Sequence, residues 1–469
     1  MPKRSHRILR RLPLISLLLF GVLAVSAADT GLDRYIKAPD PAYKYQLVNT
    51  IPGDGFTTYV IDLTSQQWRS AAEVNRPVWK HWLTVVKPDK VEGTTGLLFI
   101  SGGSVTSPAP TKPNPGYVDM AVATRSVVAE LSGIPNEPLV FADEGKSRNE
   151  DAIIAYTWVK YLKTGDQTWP LRMAMTKAAV RAMDTVTAFF ATPAGGNVRV
   201  EKFFVAGASK RGWTTWTTAA VDSRVIGISP LVIDMLNVTP SFNHHYQAYG
   251  VYSEAVKDYE DMGLMNVSNT PQYQALMKLV EPYSYRERYT MPKMIINAAG
   301  DQYFLPDSSQ FYFDQLPGEK YLRYVPNTNH SLANSDARES LAAFYNAVLH
   351  GQPRPKFSWT FEKNGDIRVV SGDKPTEVKM WAANNPEKRD FRLMTIGPAY
   401  KSSTLTSADG KTWIAHLGKP QKGWTAYFVE MTFASGMKYP FKFTTAVRVT
   451  PDTLPFPAPK PNGKIEDLP

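Results

Sequence analysis

Three short segments carry residue types suited to acyl transfer. The first is Gly207-Ala208-Ser209-Lys210-Arg211-Gly212, the second Gly300-Asp301, the third Asn329-His330-Ser331. A serine hydroxyl is a weak nucleophile until a base removes its proton, and an imidazole does this at neutral pH. The imidazole in turn needs a carboxylate to fix its tautomer and stabilise its charged form. Ser209, His330 and Asp301 therefore form a candidate nucleophile, base and acid. Asp307 and Asp234 are rivals for the acid, since each also lies beyond an apolar run. The developing oxyanion needs donors aimed at it. The backbone N–H of Lys210 is one candidate, and Gly102 or Gly103, after the apolar run Gly96 to Ile100, is the other.

Elimination supports this set. Of seven histidines, His6 lies in the leader, His81 on an early strand, His244 and His245 in a helical region, His350 at a helix end and His416 in a β region. Only His330 follows a late core strand. The chain has no cysteine, so thiolate nucleophiles, disulfides and cysteine metal sites are excluded. No ligand spacing typical of a metal site stands out, and neither metal nor cofactor is expected. Lys210 and Arg211 beside the serine would hold an acidic substrate group or form structural ion pairs. Asp143, Glu144, Glu150 and Asp151 would hold a substrate amine, or lie as solvated charges at a helix start. Trp213, Trp216, Tyr246 and Tyr249 would wall a pocket or pack in the core.

These residues need a frame. Phe203 to Ala206 is an apolar run entering the Gly-Ala-Ser corner, and an amphipathic stretch leaves it. A strand, a tight turn with serine at its apex, and a helix make a nucleophile elbow. Other apolar runs, Gly96 to Ile100, Pro138 to Ala142, Val225 to Ile233 and Met294 to Ala299, fit strands buried on both faces. Helical patterns through Ile153 to Leu162 and Met175 to Phe190 alternate with them. The spacing predicts a mostly parallel sheet covered on both sides. The order Ser, Asp, His along the chain is that of the α/β-hydrolase triad. Residues 29–352 are expected to form this domain, with its first segment, 29–50, irregular. A helical cap is expected over about 236–290, and a helix from Asp336 to Leu349 with Asp336 and Glu339 as a capping pair. Short strands and a hairpin signal at Lys363-Asn364-Gly365-Asp366 predict a C-terminal β-sandwich over 353–450. The Pro-rich end, 451–469, is expected to be extended or disordered.

Composition narrows the function classes. At 469 residues, 43% hydrophobic and 20% charged, the chain suits a globular protein with a full core. Residues 1–28 read as a secretory signal: Lys3, Arg4, Arg7, Arg10 and Arg11 precede the apolar Leu12 to Val25, then Val25-Ser26-Ala27. This leader carries five of the ten net positive charges, so the mature excess is +5. That excess, with no basic run, argues against nucleic acid as a partner. No later stretch is long enough to span a membrane. A periplasmic or secreted position is expected, and the sequence fixes no oligomeric state.

Gly207 to Trp216 resembles the elbow of the PhoPQ-activated pathogenicity-related family. Asn149 to Trp158 resembles its preceding helix, and Asn297 to Phe304 and Asn327 to Leu332 resemble its later blocks. The resemblance spans roughly residues 30–450. It implies an exported α/β-hydrolase with a C-terminal β domain, induced by a two-component system sensing envelope stress and host peptides. Arg211 departs from the general esterase elbow by standing where a small residue is usual. The elbow is also similar to that of glucuronoyl esterases, where a basic residue follows the serine, which implies a carbohydrate ester. The leading expectation is a peptide or amide substrate, cleaved through an acyl-enzyme. An ester is the second expectation, and a peptide-binding protein on a hydrolase scaffold the third.

Overall fold

The computed structural model describes residues 29–469 together with Met1. The signal-like leader lies outside the described residues. The chain opens with α1 (Gly31–Lys37), then the antiparallel strands β1 (Lys44–Gly53), β2 (Phe56–Gln67) and β3 (Val78–Pro88). The first segment is thus not irregular: Thr30 and Asp33 form a reciprocal capping box that starts α1. Next come β4 (Thr95–Ile100), α2 (Pro115–Thr124), β5 (Val128–Leu131), and the two-residue strands β6 (Leu139–Val140) and β7 (Ser147–Arg148). They lead to α3 (Glu150–Thr164), α4 (Leu171–Phe190), β8 (Lys202–Ala208), α5 (Lys210–Val221) and β9 (Val225–Leu231).

A helical stretch with α6 (Val238–Tyr249), α7 (Lys257–Asp261) and α8 (Pro271–Val280) separates β9 from β10 (Lys293–Ala298). Then follow β11 (Lys320–Val325) and α9 (Ala337–Leu349). Asp336 precedes α9 but does not cap it; its carboxylate pairs with Arg323 and Lys442.

The central strands run in the order β2-β3-β5-β4-β8-β9-β10-β11. Those from β5 to β11 are parallel, and β3 is antiparallel to β5. Successive side chains on a strand point to opposite faces. Phe203 and Val205 accordingly join the core beneath α3, α4 and α5, while Phe204 and Ala206 join the core beneath α2 and α9. This sheet order, covered on both faces, is the α/β-hydrolase fold.

One strand differs from the sequence reading. The apolar run at Leu139 lies in the small β6–β7 ribbon outside the main sheet, and Val128 to Leu131 takes the place beside β4. β5 pairs with both β3 and β4 and so fills that place in the sheet, while Leu139 and Val140 pair with Arg148 and Ser147.

The C-terminal region comprises β12 (Phe357–Phe361), β13 (Ile367–Ser371), β14 (Glu377–Asn385), α10 (Leu393–Ile396), β15 (Lys401–Thr404), β16 (Thr412–Ala415), β17 (Trp424–Phe433), β18 (Phe441–Thr444) and β19 (Arg448–Thr450). Its two layers share one apolar cluster, with Val369 and Trp413 on one side and Val429, Met431 and Phe443 on the other. One layer, however, continues the hydrolase sheet: β18 pairs with β11 through Leu322 and Thr444, and β17, β14 and β15 follow. No break in the sheet marks residue 353.

The Pro-rich end is extended and docked. Phe456 N–H donates to Gln247 C=O at 3.0 Å, Gly463 N–H donates to Asn266 C=O at 2.9 Å, and Leu468 is buried in the core.

The fused sheet carries a buried ion pair. Arg323 on β11 is 1% exposed and pairs with Glu430 on β17 and with Asp336. Removing one partner leaves a buried charge short of compensation. Glu430→Ala is expected to lower the unfolding free energy by about 3 kcal/mol, read as a shift in the urea midpoint. An unchanged midpoint would mean that β11 and β17 are not coupled through this pair.

Candidate active site

Ser209 stands between β8 and α5 with φ +59° and ψ −127°. A side chain rarely adopts this backbone, and holding it there costs about 1–3 kcal/mol. The Ser209 N–H donates to Leu231 C=O at the end of β9, at 2.8 Å, which pins the corner to the sheet. The turn is so tight that a Cβ on Gly207 would lie 2.7 Å from the Arg211 carbonyl oxygen. One on Gly212 would lie 2.8 Å from Ile233. Arg211 fits where a small residue is usual because its side chain leaves the corner. Its Nε donates to Ile134 C=O at 2.6 Å, and its Nη2 pairs with Glu150 at 2.6 Å. The guanidinium then fills the space over Gly102, 2.3 Å from where a Cβ would be. Packing therefore accounts for Gly102. Gly102 and Gly103 line a separate cavity with Lys80 and His81, not the one that Ser209 lines.

Lys210 opens α5, so its backbone N–H is among those a helix start leaves unspent. Its ammonium is buried and pairs with Glu150 at 2.7 Å and Asp151 at 3.2 Å. Burial would raise the Glu150 pKa, but the Lys210 and Arg211 charges win and hold it down at about 2. Burial and the neighbouring Glu150 push Glu137 up to about 7. Arg172 donates to Lys210 C=O at 3.0 Å and stacks on Trp213, its guanidinium carbon 4.2 Å from the ring centre.

Asp301 and His330 follow β10 and β11, which are parallel neighbours, so both reach the same sheet edge as Ser209. His330 Nδ1 lies 2.8 Å and 3.0 Å from the two Asp301 carboxylate oxygens. Asp301 also accepts from the Tyr303 N–H at 2.8 Å, and Gln302 accepts from the His330 N–H at 3.2 Å. The imidazole lies against Tyr303, ring centres 4.2 Å apart, with Phe304 at 5.9 Å. His330 Nε2 is buried and has no hydrogen-bond partner among the described residues, Ser209 included.

The rival acids are engaged elsewhere. Asp234 accepts from the Tyr312 and Tyr324 hydroxyls, each at 2.6 Å. Asp307 pairs with His244 at 3.0 Å and Arg389 at 2.6 Å.

Ser209 lines a narrow cavity with Asp151, Arg172, Ile233, Phe242, Met265 and Tyr303, among others. Four of the residues expected to bind substrate do not reach it. Asp143 is taken by Tyr156 and Lys160, and Glu144 by Arg148. Trp213 is fully buried, its indole N–H donating to Val280 C=O at 2.8 Å. Tyr246 packs on Tyr252, ring centres 5.1 Å apart. The two acids follow the Leu139 run, so their expected place at the sheet edge was lost when that run fell outside the sheet. Tyr303, Phe304 and Arg172 are among the wall residues that sequence reasoning missed. The first two follow Asp301 directly, which was an available signal. Arg172 had none, because α4 presents it from a distant stretch of chain. Among the described residues no cluster of three or more His, Asp or Glu could hold a metal ion, and no helix is long and apolar enough to cross a membrane.

The fold and the elbow place this chain among the α/β-hydrolases. It belongs to the PhoPQ-activated pathogenicity-related protein family, whose family model matches residues 32–392. It is 39% identical over 476 residues to the autocrine proliferation repressor protein A of Dictyostelium discoideum, an alignment covering 94% of each chain. Among solved structures, it is similar to acetyl xylan esterase 1 from Thermoanaerobacterium sp. JW/SL YS485, with TM-score 0.47 and 15% identity over 68% of this chain and 92% of that one. It is also similar to a glucuronoyl esterase from Solibacter usitatus, with TM-score 0.40 and 14% identity over 68% and 91%.

Two outcomes follow from the geometry. Glycine adopts the Ser209 backbone without strain and alanine does not. Ser209→Gly is therefore expected to be more stable than Ser209→Ala by about 1 kcal/mol, compared by urea denaturation. Equal stability would mean the elbow stores no strain.

The second concerns Asp234. Burial is the main cause that pushes its pKa from 3.8 up to about 7. The folded carboxyl keeps its proton in that window and the unfolded one releases it. Stability contributed below pH 3.8 is thus lost as pH rises towards 7. Asp234→Asn imitates the neutral acid and should lose this part of the slope. Its urea midpoint should fall less than the parent's between pH 4.5 and 7.5.

Proposed function

We propose that this chain is an exported serine hydrolase that works through an acyl-enzyme on carboxylic esters. The observation that carries the reading is the His330 imidazole. Asp301 holds it by Nδ1, Tyr303 braces its face, and Nε2 is left unspent at the sheet edge where the Ser209 elbow stands. In this reading Ser209 Oγ attacks the acyl carbon and gives its proton to His330 Nε2. Asp301 holds the imidazole and stabilises its charged form. The Lys210 N–H, aided by the start of α5, binds the oxyanion. Water then hydrolyses the acyl-enzyme, with His330 as the base.

An amide substrate would gain support from a carboxylate that binds a free amine. Asp143 and Glu144 are already neutralised within the protein, so the ester stands first and the amide second. Export rests on the basic and apolar pattern of residues 1–28. The 39% identical relative is an autocrine proliferation repressor protein, which favours a second reading, a regulatory protein on a hydrolase scaffold.

A fluorophosphonate probe separates the two. Parent protein lacking the leader should label, Ser209→Ala should not, and His330→Ala should label roughly a hundredfold more slowly. Folded parent protein that takes up no label would overturn the hydrolase reading and favour the regulatory one.

A further inference from the structure

The elbow separates two cavities of very different size. On one side Ser209 lines a narrow cavity of about 30 Å³, walled by Ile233, Met235, Phe242, Met265, Tyr303 and Phe304, among others. On the other side Ala208 and His330 line a broader cleft of about 540 Å³. Its polar wall includes Tyr117, Asn334, Ser335, Arg338 and Tyr439. The space beside Ser209 is thus more than tenfold smaller than the cleft beside His330.

Its charges are already spoken for. The Lys210 ammonium is matched by Glu150 and Asp151. Arg172 is occupied by the Lys210 carbonyl and the Trp213 face. What remains at the wall is mostly apolar side chain, which suits a methyl or ethyl group.

Reaction geometry assigns the two sides. The proton that His330 takes from Ser209 must go to the leaving oxygen, so the alcohol lies on the imidazole's side and the acyl group on the other. We propose, resting on the serine-hydrolase reading, that this protein removes acyl groups of two or three carbons from a large polar alcohol seated in the His330 cleft. Ser209 Oγ bonds to the acyl carbon, and the ester C–O bond breaks. The alcohol leaves with the proton carried by His330, and water then releases a short carboxylate and restores the serine.

The cap decides the limit on chain length. Phe242 comes from α6, and Met265 from the turn between α7 and α8, so longer acyl chains meet the inserted helices rather than the sheet. Forcing extra methylenes into a filled site costs enough to matter.

The test uses 4-nitrophenyl esters of two, three, four and eight carbons, which share one leaving group. Parent kcat/KM is expected to fall roughly tenfold or more between the two- or three-carbon esters and the eight-carbon ester. Met265→Ala, which enlarges the cavity, should move the optimum to four carbons or beyond. Acetate release from an acetylated disaccharide tests the leaving-group side, and its absence would overturn that half.

An eight-carbon ester cleaved as well as the acetate would overturn the short-acyl assignment while the nucleophile stands. So would a parent that labels with fluorophosphonate yet cleaves no ester in the series. A folded parent that neither labels nor cleaves would remove the hydrolase reading, and this inference with it.

Discussion

The site depends on a backbone conformation that side chains avoid. Ser209 is held at positive φ because its N–H is tied to β9 and α5 starts at the very next residue. Everything nearby answers to that corner. Gly207 and Gly212 are glycine because a Cβ at either would meet backbone or a buried side chain. Arg211 must send its side chain out of the turn, and its exit route requires Gly102 on a different strand connection. The ion pairs of Arg211 and Lys210 with Glu150 then bind the elbow to the start of α3. A strained serine is thus distributed over four elements rather than stored in one turn.

The opposite half of the site is held from the C-terminal region. The turn at Gly300-Asp301 approaches Thr328 and Leu393 so closely that a Cβ on Gly300 would lie 2.8 Å and 3.0 Å from their backbone atoms. Leu393 N–H donates to Gly300 C=O at 2.9 Å. A few residues further on, buried Arg389 pairs with Asp307, which also pairs with His244 of α6. One carboxylate therefore joins the acid loop, the helical insertion and the β region. Because β18 extends the hydrolase sheet beside β11, the strand that delivers His330 has a neighbour on both sides. The β region supports the imidazole and its acid through backbone contact, not only as an appended module.

The buried acids near the site divide by what surrounds them. Asp307 is held well below the carboxylate range by Arg389 and His244, against the opposing effect of burial. Asp234 has only hydroxyl partners, so burial prevails and it keeps its proton to about pH 7. A neutral Asp234 avoids repulsion with Asp301 and Asp307 in a crowded interior. Three carboxyl groups can then share one region, while Asp301 alone faces the imidazole.

The sequence alone determined the elbow, the order of Ser209, Asp301 and His330, and the alternation of strands and helices. Each of these is local: an apolar run, a glycine-flanked serine, a residue just past a strand. It also carried the helical pattern between β9 and β10 and the hairpin at Asn364-Gly365, while it left Asp234 and Asp307 open beside Asp301. Only the tertiary structure decided which apolar run joins the sheet. Leu139 and Val128 look alike in hydropathy, and their fates differ through the partners each finds, β3 and β4 for Val128 and the Ser147-Arg148 segment for Leu139. The same error misplaced Asp143 and Glu144, whose partners Lys160 and Arg148 lie on α3 or beside it. Cavity walls were equally out of reach of the sequence, because Arg172, Phe242 and Met265 come from separate stretches of chain. The fusion of the β region to the main sheet was hidden for the same reason. Strand pairing between distant segments leaves no periodic signal within either one.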